Sequence, residues 1–130
     1  MKKILLFTLL LGLMACESTE KSGGAFVEIA PEAFAEKTKE ADVVLLDVRT
    51  VEEFAEGHIE GAQQYDYYET DSFKSMLAGL DKTKTYLIYC RSGSRSGNAM
   101  RMMKEMGFSQ VYNLDGGILA WRSAGLPVIR

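Results

Sequence analysis

Short apolar runs and amphipathic segments alternate along the chain from about residue 26 onward. Residues 43 to 48, VVLLDV, and residues 86 to 89, YLIY, are mostly apolar on both faces, which is typical of buried parallel strands. Residues 26 to 29 alternate apolar and polar side chains, which predicts a half-exposed strand. Two further strands are predicted at residues 62 to 65 and 111 to 114. The pattern therefore predicts five strands.

Helical signals fall between these strands. Pro31 lies where a first helical turn tolerates proline, ahead of residues 32 to 39. Thr50 and Glu53 match a capping box, so a helix should begin at Val51 and end near Gly57. Three more helices are predicted at residues 72 to 80, 94 to 106 and 116 to 123. Strands that alternate with helices predict an α/β fold, with a mostly parallel five-stranded sheet and helices on both faces.

The first 15 residues differ from the rest of the chain, because two lysines and the apolar run ILLFTLLLGLMA precede Cys16. The run is shorter than the roughly 20 residues of a membrane-spanning helix but suits a secretory signal. Its end, LMAC, resembles the lipobox of bacterial lipoproteins, whose cysteine carries lipid. We therefore predict a signal peptide at residues 1–15 and lipidation of Cys16, which would attach the chain to a membrane of the bacterial cell envelope. A plain secretory signal with an incidental cysteine is the alternative.

Composition and charge limit the domain organisation and the kinds of partner that the chain can bind. Residues 17 to 24, ESTEKSGG, lack large apolar side chains, so residues 16–24 are predicted as anchor and flexible tether, and residues 25–130 as one domain. The chain carries 15 basic and 18 acidic residues, and removal of a signal peptide with Lys2 and Lys3 would make it more acidic. An acidic domain is a poor nucleic-acid binder, so no nucleic-acid partner is expected. A monomer is expected.

Cys90 is the second cysteine of the chain. If Cys16 carries lipid, Cys90 has no partner in an oxidising compartment and is a candidate reactive thiol; a Cys16–Cys90 disulfide is the alternative. Cys90 directly follows a predicted central strand, at the sheet edge where ligands of parallel α/β folds bind. The small residues of the loop RSGSR, residues 91 to 95, allow backbone N–H groups to turn inward at a helix N-terminus. Such a nest favours the thiolate.

Sulfur transfer is the reaction that suits this thiolate best. A cysteine hydrolase needs a histidine base, and the single histidine, His58, is predicted at the opposite end of the sheet as a turn or interhelical hydrogen-bonding residue. One histidine supports no metal site, and no cofactor is predicted. A thiolate needs no base to attack the sulfane sulfur of a small anionic donor, and nest amides would stabilise the resulting persulfide.

Three segments resemble the rhodanese family of single-domain sulfurtransferases: LLDVRTVEEFAEGHIEGA at residues 45 to 62, CRSGSRS at 90 to 96, and YNLDGGILAWRSAGLPV at 112 to 128. The resemblance implies a rhodanese-like three-layer fold, a catalytic persulfide on Cys90, and arginine side chains near the donor anion. It also implies a substrate-binding cradle formed by Arg91, Ser92, Gly93, Ser94, Arg95 and Ser96. Thiosulfate is the usual donor of the family, and cyanide or a thiol the acceptor.

Other site features and activities remain open at this point. Asp47 and Arg49 are expected to support the site through a partly buried ion pair. Four residues separate Cys90 from Arg95, whereas protein phosphatases use a longer loop, so phosphatase or arsenate reductase activity is a less favoured alternative. A sulfur-carrier or protein-interaction module is another. The tyrosine cluster Tyr65, Tyr67 and Tyr68 either lines the site or covers the sheet.

Overall fold

A parallel sheet of five strands forms the centre of the structure, a computed structural model that describes residues 24 to 130. The strand order is β1-β5-β4-β2-β3, and every pair of neighbours is parallel. The strands are β1 (Ala25–Ile29), β2 (Val43–Asp47), β3 (Gln63–Gln64), β4 (Thr85–Tyr89) and β5 (Gln110–Leu114). The predicted five-stranded sheet is confirmed, although β3 is only two residues long.

Five helices connect the strands: α1 (Pro31–Thr38), α2 (Val51–Glu56), α3 (Thr70–Ala78), α4 (Ser94–Glu105) and α5 (Gly117–Ser123). The predicted capping box begins α2, because the Thr50 hydroxyl accepts a hydrogen bond from the Glu53 N–H and the Glu53 carboxylate accepts one from the Thr50 N–H. α3 spans residues 70–78 where 72–80 was predicted, since Gly79 caps its C-terminus before Leu80.

Apolar residues cover both faces of the sheet, and the central strand β4 contributes alternately to each. Tyr86 and Ile88 face one core, whereas Leu87 and Tyr89 face the other. The first core packs against α3 and α4 through Phe73, Leu77, Ala99 and Met103. The second packs against α1 and α5 through Phe34, Ile118 and Trp121. The three-layer α/β arrangement predicted from the alternation of strands and helices is therefore confirmed.

A buried ion pair lies just beyond the end of β2. The Arg49 guanidinium donates two hydrogen bonds to Asp47 Oδ2, at 2.7 and 3.1 Å, and its Nη2 also donates to the Gly57 carbonyl at 2.8 Å. Gln64 Nε2 donates to the Arg49 carbonyl at 2.7 Å. Asp47 and Arg49 are 0 % and 4 % exposed, so the pair is fully buried where partial burial was expected. The pair thus ties β2, the end of α2 and β3 together at one edge.

The N-terminal predictions concern a part of the chain that the structure leaves out. The signal peptide at 1–15, the lipidated Cys16 and nearly all of the tether at 16–24 lie outside the described residues. Within residues 24–130, no helix is long and apolar enough to cross a bilayer.

Candidate active site

The Cys90 sulfur lies at the end of the central strand β4, where the chain leaves the sheet. Cys90 is 1 % exposed and belongs to the core that packs against α3 and α4. Its Sγ accepts a hydrogen bond from the Gly93 N–H at 3.1 Å and one from the Ser96 hydroxyl at 3.3 Å. The loop therefore folds back over the sulfur and α4 begins beside it, as the residues after Cys90 predicted.

Two opposing effects set the pKa of the Cys90 thiol. Burial penalises the charged thiolate and so raises the pKa. Hydrogen bonds from the Ser96 hydroxyl and from the N–H groups of Ser96, Gly93 and Ser92 stabilise the thiolate and lower the pKa. The hydrogen bonds outweigh burial, and the pKa of Cys90 lies below its ordinary value. The site therefore favours a thiolate without a neighbouring base.

The loop conformation depends on Gly93 and on Asn113 of β5. Gly93 has a φ of +102°, a left-handed conformation that favours glycine. Asn113 Nδ2 donates to the Gly93 carbonyl at 3.2 Å and to Glu28 Oε1 at 3.3 Å. Asn113 is 0 % exposed, and its Oδ1 has no hydrogen-bond partner within the described residues. Asn113 thus holds the residue whose N–H contacts the sulfur. A polar residue inside the apolar strand VYNL was the signal that sequence analysis overlooked.

The first turn of α5 packs directly against the loop. The Ile118 N–H donates to the Cys90 carbonyl at 2.9 Å, and the Leu119 N–H donates to the Arg91 carbonyl at 3.2 Å. Gly117 has a φ of +60°, and a Cβ there would lie 2.3 Å from the Arg91 oxygen. Only glycine permits this approach, so Gly117 allows α5 to pack on the chain beside Cys90.

The Arg95 side chain is held from outside its own loop. Its Nη1 and Nη2 donate to the two carboxylate oxygens of Glu53 at 2.8 and 2.9 Å, and its guanidinium lies 5.0 Å from the centre of the Tyr68 ring. The hydrogen bonds from Arg95 are the main reason that the pKa of Glu53 falls to about 2. Glu53 was predicted only to cap α2 and contact solvent, so its contact with Arg95 was missed.

The remaining predicted residues are three residues of the loop, the Asp47–Arg49 pair and the tyrosine cluster. Arg91, Ser92 and Ser94 are exposed on the loop, and the Asp47–Arg49 pair lies at the end of the adjacent strand β2. Tyr65 and Tyr67 pack against the core, so they cover the sheet, and only the exposed Tyr68 of this cluster contacts Arg95.

His58 makes local contacts. Its Nδ1 lies 3.1 Å from the Phe54 carbonyl, and its ring stacks on the Phe54 ring with 3.7 Å between the centres. The Nδ1 contact links His58 to the end of the preceding helix, which agrees with the turn role expected for this residue. Neither contact involves Cys90. In the chain from residue 24 onward, no group of three or more His, Cys, Asp or Glu side chains is arranged to hold a metal ion.

Known proteins resemble this chain in sequence and in fold. Residues 30 to 124 match the family described as the Rhodanese-like domain. The chain is 36 % identical over 103 residues to a protein named Sulfurtransferase from Allochromatium vinosum, covering 78 % of this chain and 94 % of the relative. It is 35 % identical over 98 residues to Thiosulfate sulfurtransferase GlpE of Pseudomonas putida, covering 75 % and 86 %.

Two further matches differ in length. The protein slr1261 of Synechocystis sp. is 34 % identical over 111 residues, but this chain spans only 56 % of it. A rhodanese-like domain protein of Staphylococcus aureus, known from a crystal structure, has a TM-score of 0.65 at 30 % identity, covering 79 % of this chain and 98 % of the other. The likeness therefore extends over almost the whole of that solved domain.

Replacing Asn113 tests how the loop controls the thiol. Leucine has the same number and branching of side-chain heavy atoms as asparagine, but it cannot donate to the Gly93 carbonyl, so Asn113→Leu removes this hydrogen bond. Because the Gly93 N–H then holds the sulfur less firmly, we expect the pKa of Cys90 to rise. The measurement is the ultraviolet thiolate absorbance as a function of pH, in the Cys16→Ala background. An unchanged titration in a folded variant would show that Asn113 has only a packing role.

Proposed function

Since the chain belongs to the rhodanese-like family, we propose that it is a sulfurtransferase that carries sulfur on Cys90. The observation that carries this proposal is the buried sulfur of Cys90, surrounded by hydrogen-bond donors at the end of β4. The same donors that favour a thiolate are suited to stabilise a persulfide anion. The names of the relatives from Allochromatium vinosum and Pseudomonas putida support sulfur transfer, and the second supports thiosulfate as donor.

In the first step, the Cys90 thiolate attacks the outer sulfur of thiosulfate. A bond forms between Sγ and that sulfur, and the sulfur–sulfur bond of thiosulfate breaks. Sulfite leaves with the bonding electron pair, and Cys90 becomes a persulfide anion. The attack uses the thiolate form of Cys90, which the lowered pKa makes more abundant, so no neighbouring base has to remove a proton during the attack.

In the second step, a nucleophilic acceptor attacks the outer sulfur of the persulfide. Cyanide gives thiocyanate, and a thiolate gives a new persulfide on the acceptor. The bond between the outer sulfur and Sγ breaks, and its electron pair returns to Cys90 as a thiolate. The hydrogen bonds from Gly93 and Ser96 lower the energy of that leaving group, just as they lower the pKa of the thiol.

Within this mechanism, residues 91 to 96 form the binding site for the anionic sulfur donor. Arg95 has five N–H donors, of which Glu53 occupies two. The guanidinium can therefore hold the loop through Glu53 and still donate to an anionic sulfur donor. Arg91 supplies an exposed positive charge, and Ser92, Gly93, Ser94 and Ser96 supply N–H and hydroxyl groups. The buried Asp47–Arg49 pair supports the edge of the sheet beside them.

We further propose that Cys16 anchors the chain to a membrane of the bacterial cell envelope. The proposal is supported by the sequence alone, through the apolar run at residues 4 to 15 and the LMAC segment that ends it. Lipid on Cys16 would leave Cys90 as the remaining thiol, and the acidic tether would separate the site from the membrane surface.

Removing the nucleophile tests the function directly. In the Cys16→Ala background, thiosulfate should raise the intact mass by one sulfur atom, and cyanide should reverse the gain. Cys90→Ser should fold, since a hydroxyl can accept the same hydrogen bonds, but it should gain no sulfur. The measurement is intact-mass spectrometry with thermal unfolding as the control. A sulfur gain that persists in Cys90→Ser would contradict the assignment, and a chain with Cys90 that gains none would favour an oxyanion substrate or a binding role.

Arg95→Ala should weaken the first step more than the second. Loss of the ordered, positively charged guanidinium should lower kcat/KM for thiosulfate about tenfold to a hundredfold. The measurement is the rate of persulfide formation at several thiosulfate concentrations. Arg101→Ala is the matched control, because Arg101 is an exposed arginine on the same helix, and within residues 24–130 its side chain hydrogen-bonds only to Asn98. Equal kcat/KM values in the wild type and Arg95→Ala would exclude Arg95 from donor binding.

The anchor is tested in the native host. The full chain should incorporate labelled fatty acid and sediment with membranes, whereas Cys16→Ala should do neither, because the lipid-bearing sulfur is lost. Cys90→Ser serves as the control and should be labelled like the wild type. Labelling that survives in Cys16→Ala would refute the anchor, and a wild-type chain without label would favour a plain secretory signal.

A further inference from the structure

A cleft of about 600 Å³ lies on the side of the sheet that α1 and α5 cover. Its apolar lining consists of Ala35, Ile59, Trp121, Leu126 and Pro127. Ile59 and Trp121 belong to the second core, and Ala35 and Leu126 pack against that core. The Cys90 side chain belongs to the first core, on the opposite face of the sheet. The cleft is therefore a place where the second core reaches the surface, away from the proposed site of sulfur transfer.

Exposed carboxylates surround this apolar lining. Glu32 and Glu36 lie one turn apart on α1, and Glu60 lies in the segment that follows α2. Lys39 is the one basic residue among the described residues that line the cleft, and it pairs with Glu36 at 3.0 Å. Glu32 and Glu60 have no basic partner within 4 Å in residues 24–130. The lining therefore carries two unpaired negative charges, which favour a cationic ligand.

Helical spacing on α1 keeps these charges unpaired. Residues 32, 35, 36 and 39 have the spacing of one helical face, and all four line the cleft. Lys37 lies on a different side of α1, where its Nζ is 4.3 Å from the centre of the Tyr112 ring and 3.7 Å from the Glu40 carboxylate. The positive charge of Lys37 is therefore used elsewhere and does not neutralise the carboxylates of the cleft.

Apolar contact has to provide most of the affinity at this cleft. Ion pairs with exposed carboxylates contribute little, because water and salt screen them. A ligand that also covers the apolar lining gains the free energy of removing that surface from water. The cleft lies within the roughly 300 to 1,000 Å³ typical of binding pockets, so it has room for more than one side chain. The ligand that fits best therefore combines apolar groups with positive charges.

We propose that this cleft is a docking site for a segment of a partner protein that is rich in both apolar and basic residues. Apolar side chains of the segment pack on Ile59, Trp121 and Leu126, and its lysine or arginine side chains bind Glu32 and Glu60. Within residues 24–130, no residue that lines the cleft belongs to the Cys90 loop. The docked partner therefore leaves the sulfur of Cys90 accessible to its own substrates.

The single tryptophan of the chain lines the cleft, so its fluorescence reports on binding. The full chain is titrated with three tryptophan-free peptides of equal length, which alternate leucine and lysine, leucine and glutamate, or serine and lysine. Only the leucine–lysine peptide should bind saturably and change the emission of Trp121. Combining Glu32→Gln with Glu60→Gln should weaken this binding about fivefold to twentyfold, because each exposed ion pair contributes a few-fold and distant pairs are additive.

Two controls separate the cleft from general effects. Glu105→Gln removes an exposed carboxylate from α4, outside the cleft, and should leave peptide binding unchanged. Sulfur gain by Cys90, read by intact mass, should be the same in the wild type and in the double variant, because the cleft does not include the Cys90 loop. The docking proposal does not depend on sulfur transfer, so a wild-type chain that gains no sulfur leaves the peptide titration as its test.

The outcomes are distinguishable. Binding of the leucine–lysine peptide alone, weakened in the double variant and not in Glu105→Gln, would support the docking site. Equal binding of the serine–lysine peptide would show attraction by charge alone and would refute it, as would unchanged affinity in the double variant or no binding of any peptide. If 1,5-diaminopentane binds as tightly as the leucine–lysine peptide, the cleft is a site for a small amine and the partner proposal is wrong. A chain that sediments as a dimer, and as a monomer in the double variant, would instead place a second copy in the cleft.

Discussion

The buried ion pair between Asp47 and Arg49 fixes the edge of the sheet on which the site is built. Removing either partner would leave an uncompensated buried charge, at a cost of about 3 to 5 kcal/mol. Arg49 also donates to the carbonyl of Gly57 and accepts from Gln64, so the pair fixes the end of α2 and the position of β3. α2 in turn carries Glu53, which holds Arg95 of α4. The loop after Cys90 is therefore anchored through contacts that begin at this pair.

The same edge explains how a buried cysteine has a lowered pKa. Cys90 belongs to the hydrophobic core, and burial alone would raise the pKa of its thiol. The loop reverses that effect because three N–H groups and one hydroxyl point at a single sulfur atom. A histidine is not needed to make the thiolate, which agrees with the local contacts of His58 at Phe54. Chemistry that starts from a thiolate and involves no proton transfer suits such a site.

Sequence analysis predicted the parts of the structure that depend on nearby residues. Strand and helix periodicity predicted the sheet, the capping box predicted α2, and the order of strand, loop and helix placed Cys90 at the sheet edge. Contacts between distant residues were not predictable in this way. Glu53 and Arg95 are 42 positions apart, and the capping box already gave Glu53 a role. The polar Asn113 inside an apolar strand signals a buried hydrogen-bonding side chain, but its partner, the Gly93 carbonyl, depends on how β5 packs beneath the loop. A single sequence shows neither contact.

Arg95 and Arg122 both lie near the Cys90 loop, but different contacts hold their guanidinium groups. Glu53 accepts hydrogen bonds from two nitrogens of Arg95, which fixes the directions of the remaining N–H groups of that guanidinium. Arg122 lies against Gly57 and has no carboxylate within 4 Å among the described residues. Salt screens charges beyond about 8 Å, so the net charge of −3 on the whole chain acts weakly at this loop. Under the proposed function, local guanidinium groups, and not the overall field, would therefore decide which anions bind beside Cys90.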